Sequence, residues 1–445
     1  MFVATRAFGL VSGVGATLSR VTRGDLVPPR LRAHTVEIAD PGPLTNLLPM
    51  TDAFAWLHEG DGMVAWGEVV RHKAANIPEA EEWWAELSAG AIEDGNLENP
   101  PAGAGLTAFG SFVFDPSNSA AQSVLIVPET ILGRRQGRSW VTTIGSPPAT
   151  SWVPGTEPLT APRNVCFRSG ALTGEDWAGA VGEAVGRIGA GELDKVVLAR
   201  DLVAVAENDI DPRWLASRLA AGYPRCWTYL VDGLVGATPE MLVRREGGRV
   251  QSRVLAGTIR RTGDDAHDLA LAAGLAQSSK DLEEHEYAVS SVARALDPYC
   301  SHMQVPEAPY VLELPNVLHL ATDVTAVVRS DSSGSPNLQG HSSLALAAAL
   351  HPSAAVCGTP TDAARQVIAE LEHLDRERYA GPVGWLDARG DGEWGIALRC
   401  GQISETDPRE IRLFAGCGIV AGSDPAAELA ESTAKLVPMR DALAG

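Results

Sequence analysis

The sequence predicts an α+β fold built on large antiparallel sheets, and three observations carry that expectation. Apolar, β-branched runs come in pairs around tight-turn signals, and helical stretches fall between groups of such pairs. No segment repeats at a period of roughly 20 to 50 residues. A doubly wound fold would instead alternate single strands with helices.

In chain order, FAWLHEGDGMVAWGEVVR (54–71) reads as two strands around a Gly-Asp-Gly turn, and FGSFVFDP (109–116) as another strand. Residues 133–165 are rich in turn formers and read as a long surface connection. In TGEDWAGAVGEAVGRI, Thr173 can cap a helix whose apolar stripe is Trp177, Val181, Ala184 and Ile188. GELDKVVLARD (191–201) is then a buried strand with Lys195 at its mouth. A short helix starts near Asp211. Hairpins follow with turns at Asp232-Gly233 and Gly247-Gly248. Two helices near 265–297 precede a strand around NVLHLATDV, and another helix runs from about Thr361 to 375. RYAGPVGWLDARGDGEWGIALRCG forms a long hairpin, and LFAGCGIVAG a strand feeding a last helix, with Ser423 as its cap and Pro425 in its first turn.

The 445 residues suffice for a large core, and 45% of them are hydrophobic. A formal charge of −20 argues against a nucleic-acid groove and requires any anion site to concentrate cations locally. The six cysteines show no zinc-site spacing, so free thiols in a reducing compartment are expected. No run reaches transmembrane length, and the first twenty residues lack a sustained apolar region. The expectation is a soluble cytoplasmic protein with no membrane or nucleic-acid partner.

Several side chains could carry chemistry. Lys195 taken alone reads as a strand-end lysine whose stem covers apolar surface. Two glycine stretches, GVGATL (13–18) and GAGLTAFG (103–110), lack the strand, helix and downstream acid of a dinucleotide site and read as loops. On the last helix Glu428, Glu431 and Lys435 share one face, which in most helices is simply solvated, with Leu429, Leu436 and Met439 on another. On the helix SSKDLEEHEYAVSSVARAL, Leu282, Val289, Val292 and Leu296 are buried and Glu284 stands at the edge of that stripe. Carboxylates from two packed helices make a hard-oxygen site suited to Mg²⁺. If the long hairpin turns at Arg389, Tyr379 and Arg399 face each other with Cβ atoms about 5 Å apart, forming either a carboxylate fork or a structural pair. Glu240 ends the Asp-Gly hairpin, either as a surface residue or facing Lys195 across a pocket.

The motifs LDKVVLAR, GATPEMLVR, LAGTIRR, SSKDLEEHEYAV, HPSAAVCGTP, RYAGPVGWL, ALRCG and AGCGIVAGSDPAAELAESTAKL occur in that order. Together they resemble the chorismate-utilising family, which includes isochorismate, salicylate, anthranilate and aminodeoxychorismate synthases. The resemblance is dense from about 174 to 440. It implies one domain over 1–445, of two large antiparallel sheets with helices outside, with 1–165 more divergent and the core motifs in 166–445. It also implies a requirement for Mg²⁺ and chorismate as substrate.

Carried over by position, Glu284 and Glu431 would hold the metal, with Glu428 assisting. Tyr379 and Arg399 would hold a substrate carboxylate, and Lys435 would neutralise another. Gly257, Thr258 and Gly418 would shape the pocket, and His319 would lie near the ring. Family members that add ammonia carry glutamine where Lys195 stands, whereas those that add water carry lysine. Ala256 occupies the place of a lysine found before "GT" in the aminodeoxychorismate branch, and AAVCGTP resembles isochorismate synthases. Lys195 would then act as base and Glu240 as acid in an isochorismate synthase of menaquinone or siderophore biosynthesis, with salicylate synthase as the neighbouring alternative. No glutaminase subunit is expected, and the chain would be a monomer or weak homodimer. Val254, Gly422 and Ala434 depart from the family's frequent residues, but none is a proposed acid, base or ligand. The bottom-up rivals are a two-carboxylate hydrolase using Glu240 and a non-catalytic anion-binding module.

Overall fold

The computed structural model describes residues 30–145, 157–329 and 340–444, with the side chains of Lys280 and Glu284 outside that set. The GVGATL stretch and residues 146–156 also lie outside the described residues. Two large sheets of 13 and 10 strands form the fold. Their pairings are antiparallel except that Arg32–Ile38 runs parallel to Ile92–Gly95. The described helices are α1 (Ile77–Ala89), α2 (Gly174–Gly189), α3 (Pro212–Gly222), α4 (Asp265–Gln277), α5 (Ser279–Leu296), α6 (Ser343–Leu350), α7 (Thr361–Leu371) and α8 (Pro425–Ala444). None is long and apolar enough to cross a membrane.

The turn chemistry sets the hairpins where the sequence places them, with one shift. Asp232-Gly233 and Gly247-Gly248 both have positive φ and join adjacent antiparallel strands. In the first hairpin His58 pairs with Asp61, so Glu59-Gly60 makes the turn, one residue earlier than the Gly-Asp-Gly reading. The stretch beginning at 133 is not a surface connection up to Ile144. Strands Thr130–Arg135 and Arg138–Ile144 pair there about Gln136-Gly137, whose positive φ values make a tight turn. Short apolar pairs hidden among turn formers account for the misreading, since Trp140 and Val141 are buried, as are Ile131 and Leu132 just before the stretch.

Helix α2 forms as its pattern dictates. The Thr173 side chain accepts from the Asp176 amide, and Trp177, Val181, Ala184 and Ile188 are its buried residues. Helix α8 is capped by Asp424, whose side chain accepts from the Ala427 amide at 2.8 Å, and not by Ser423. The Ser423 hydroxyl accepts from the Val420 amide instead, tightening the turn before the helix.

Two chain crossings between the sheets define where a site can sit. Leu234–Thr238 belongs to the larger sheet and Met241–Glu246 to the smaller, so Pro239 and Glu240 are the crossing. The chain returns between Gly392–Ile396 and Cys400–Ile403, with Ala397, Leu398 and Arg399 as the crossing. The two crossings lie side by side. The Ile396 amide donates to the Glu240 carbonyl at 3.2 Å, and the Ala237 amide to the Arg399 carbonyl at 3.3 Å. A crossing exposes backbone and side chains to both sheet edges at once, which suits a pocket better than a strand interior.

Candidate active site

Every expected site residue with a described side chain lines one pocket beside these crossings. Lys195, Glu240, Gly257, Thr258, His319, Tyr379, Arg399, Gly418, Glu428, Glu431 and Lys435 are all on its wall. The side chain of Glu284 lies outside the described residues, although its place on α5 is clear. Asp281, three residues earlier and hence on the same helical face, lines the pocket.

Lys195 is the first residue of strand Lys195–Val205 and is buried. Its neighbours are Thr359 on one side and strand Glu410–Ile419 on the other, which also delivers Gly416 and Gly418 to the pocket. Glu240 enters from the crossing and is buried. Burial pushes its carboxyl up to about 7, against the opposing pull of Lys195, Arg399 and Lys435. A buried carboxyl poised near neutrality can hold or release a proton under physiological conditions.

Arg399 has a positive φ of 51°, an uncommon conformation for arginine that turns its side chain out of the strand direction. Its guanidinium has no hydrogen-bond partner among the described residues, although the residue is buried, so its donors are available to an anion. The hairpin does turn about Arg389, with Pro382 paired to Ile396. Tyr379 and Arg399 nevertheless reach the pocket from beyond the ladder, and not as a cross-strand pair. Ala380 and Arg399 both adopt positive φ and end the regular pairing before it reaches them. Tyr379 stacks on Phe414 at 5.2 Å, and the missing side chain of Gly416 leaves room for its hydroxyl.

Lys435 lies one turn beyond Glu431 on α8. Its ammonium is 2.6 Å from a Glu431 oxygen and donates to the Gly416 carbonyl at 3.0 Å. Burial alone would depress this ammonium's pKa, but the Glu431 charge holds it above the usual lysine range. The His319 imidazole shares a hydrogen bond of 3.0 Å with the Thr258 hydroxyl. Burial, reinforced by Arg399 and Lys435, drives its pKa well below the ordinary value, so it is neutral. Arg399 and Lys435 thus concentrate positive charge in a strongly acidic chain.

Ligand atoms of Glu428, Glu431 and Cys417 lie within 4.8 Å of one another. Burial holds the Cys417 thiol well above its usual pKa, and it donates to the Glu428 carbonyl at 3.4 Å. A protonated sulfur is a poor partner for a hard cation, whereas the two carboxylates suit Mg²⁺, which is satisfied by one or two acids plus waters and substrate oxygens. The donor chemistry therefore fits that ion. Sequence reasoning missed Asp281, Arg376 and Cys417. Asp281 was recoverable from its helical spacing to Glu284, but nothing local marks the other two.

Gly257 opens a β-bulge between Ala256 and Thr258 and has φ of 76°. A Cβ there would stand 3.2 Å from the Cβ of Asp281. Gly257→Ala is expected to cost about 1–2 kcal/mol from the left-handed backbone alone, and to weaken substrate binding by pushing α5 from the pocket wall. A thermal melt and the KM together test this, and unchanged values in both would refute it.

The profile of chorismate binding enzymes matches residues 154–444. Isochorismate synthase DhbC of Bacillus subtilis is 40% identical over 280 residues, covering 60% of this chain and 68% of that protein. The crystal structure of a putative 2,3-dihydroxybenzoate-specific isochorismate synthase from Bacillus anthracis superposes with a TM-score of 0.71 at 32% identity, covering 88% of this chain and 96% of that one. The menaquinone-specific isochorismate synthase MenF of Escherichia coli shares the fold, with a TM-score of 0.76 at 24% identity over 94% of this chain and 95% of that one. The profile match and the shared α+β architecture agree with the motifs that converge on the pocket: the chain belongs to the chorismate-binding enzyme family.

Proposed function

We propose that the chain is a Mg²⁺-dependent isochorismate synthase, adding water at C2 of chorismate and expelling the C4 hydroxyl. The observation that carries this reading is the placement of Lys195 and Glu240. Both are buried, both line one pocket, and Lys195 arrives on a strand end whereas Glu240 arrives from the crossing between the sheets. Attack and departure occur on different carbons of one ring, so base and acid must stand apart.

Lys195 acts as the base, taking a proton from water as its oxygen bonds to C2. The ring double bonds shift, the C4–O bond breaks, and Glu240 gives its proton to the departing hydroxyl. One water enters and one leaves, so the net reaction is an isomerisation. The upward displacement of the Glu240 carboxyl supports its role as acid, because an ordinary glutamate would have no proton to give at neutral pH. Arg399, with Tyr379 beside it, supplies donors for one substrate carboxylate, and Lys435 supplies charge for another. Glu428 and Glu431, with Glu284 by the resemblance, would hold Mg²⁺. The bound ion would neutralise the ring carboxylate of the substrate dianion.

Incubation with chorismate and Mg²⁺ followed by chromatography is expected to yield isochorismate alone, and EDTA to abolish the conversion. Salicylate with pyruvate would move the assignment to salicylate synthase. Turnover that persists in EDTA would remove the metal from the proposal, and binding without conversion would leave an anion-binding module.

A further inference from the structure

The outer edge of the Lys195–Val205 strand is covered by two short partners with a gap between them. Gly358–Thr359 pairs with residues 195 and 196, and Cys166–Ser169 pairs with residues 202 to 205. Side chains fill part of the gap. Arg376 donates to the Val197 carbonyl at 2.6 Å, and Glu372 accepts from the Ala199 amide at 2.7 Å. The same arginine donates to the Val356 carbonyl at 2.9 Å and to Glu372 at 2.9 Å. Its guanidinium packs over the Phe114 ring at 4.2 Å. Both residues are buried.

From this geometry we infer that Glu372 and Arg376 are positioning residues that act through Lys195, replacing the missing stretch of partner strand with a side-chain clamp. Arg376 lines the pocket, but its donors are committed to backbone carbonyls and Glu372, unlike those of Arg399. It is therefore placed to fix the strand, and not to recruit the substrate. The clamp grips the strand two and four residues after Lys195. It also ties that strand to Val356 of the pocket wall and, through the Arg376 carbonyl, which accepts from the Tyr379 amide at 2.9 Å, to the substrate side. Without it, the buried Val197 carbonyl and Ala199 amide lose these partners and the strand end can shift. A displacement of about 1 Å at a catalytic group can cost ~10²-fold in rate.

The inference rests on Lys195 being the base, and a double-mutant cycle separates the two claims. Arg376→Lys keeps the charge opposite Glu372 but cannot reproduce the fork. It is expected to lower kcat by ~10–10²-fold with KM for chorismate changed by less than about threefold. In a Lys195→Ala background the same change should cost less than about threefold, because the group being positioned is gone. Should Arg376→Lys unfold the chain, the neutral pair Glu372→Gln with Arg376→Gln avoids an unpaired buried charge and is taken through the same cycle. An equal loss in both backgrounds, or full kcat in a folded variant, would overturn the clamp alone. Full activity of Lys195→Ala itself would overturn the base assignment and this inference with it.

Discussion

Replacing Lys195 by alanine is expected to lower chorismate turnover by ~10²–10⁴-fold, the usual contribution of a positioned base. The fold should survive. Lys195 opens its strand, so its backbone pairing to Thr359 remains and only the side chain beyond Cβ is removed. KM should change little, because the groups placed to hold the substrate carboxylates, Arg399 and Lys435, stay where they are. Far-UV circular dichroism and a chorismate titration distinguish this outcome from unfolding. A variant with wild-type kcat would return Lys195 to the role first considered for it, a strand-end residue covering apolar surface.

That role was reasonable from the sequence alone, and the burial of Lys195 in the pocket wall shows which information is local and which is not. Turns were legible because Asp232-Gly233 and Gly247-Gly248 impose positive φ wherever they occur. The α2 stripe was legible because a 3.6-residue period is a property of the segment itself. Residues 133–144 were misread for the same reason. Their glycine and polar content resembles a loop, and only pairing with distant strands such as Arg32–Ile38 shows them to be sheet. The cap of α8 moved from Ser423 to Asp424 because two adjacent residues can both cap, and the backbone entering the helix chooses between them.

The site divides along the same line. Ordered motifs brought out Lys195, Glu240, Arg399 and the α8 acids together, and these residues do converge on one pocket. Arg376 carried no signal, since its importance lies in reaching the carbonyls of Val197 and Val356 across the fold. Cys417 was invisible because burial beside Glu428 and Glu431 is a tertiary fact. The register argument for Tyr379 and Arg399 named two residues that do line the pocket, through a pairing that stops short of them. Positive φ at Ala380 and Arg399 redirects the chain, and no hydrophobic pattern encodes that.

Glu240→Gln should combine a large loss of activity with a gain of stability that depends on pH. Glutamine keeps the shape but has no acidic proton to give, so turnover should fall by ~10²–10⁴-fold. The native carboxyl is raised from 4.5 to about 7 by burial, so the folded chain binds this proton more tightly than the unfolded chain does. At pH well below 4.5 both states are protonated and the native state carries no penalty. As pH rises through that value and on to about 7, the unfolded chain releases the proton first. The native state is then disfavoured by up to about 3 kcal/mol, a penalty complete above pH 7. Glutamine carries none of it. The melting temperature of the variant should therefore match wild type near pH 4 and exceed it at pH 8. The activity of the wild-type enzyme should in turn decline as pH climbs past about 7, where the acid loses the proton it must deliver. A stability difference of the same size at both pH values would show that Glu240 is not the buried titrating group, and turnover that survives the substitution would show that it is not the acid.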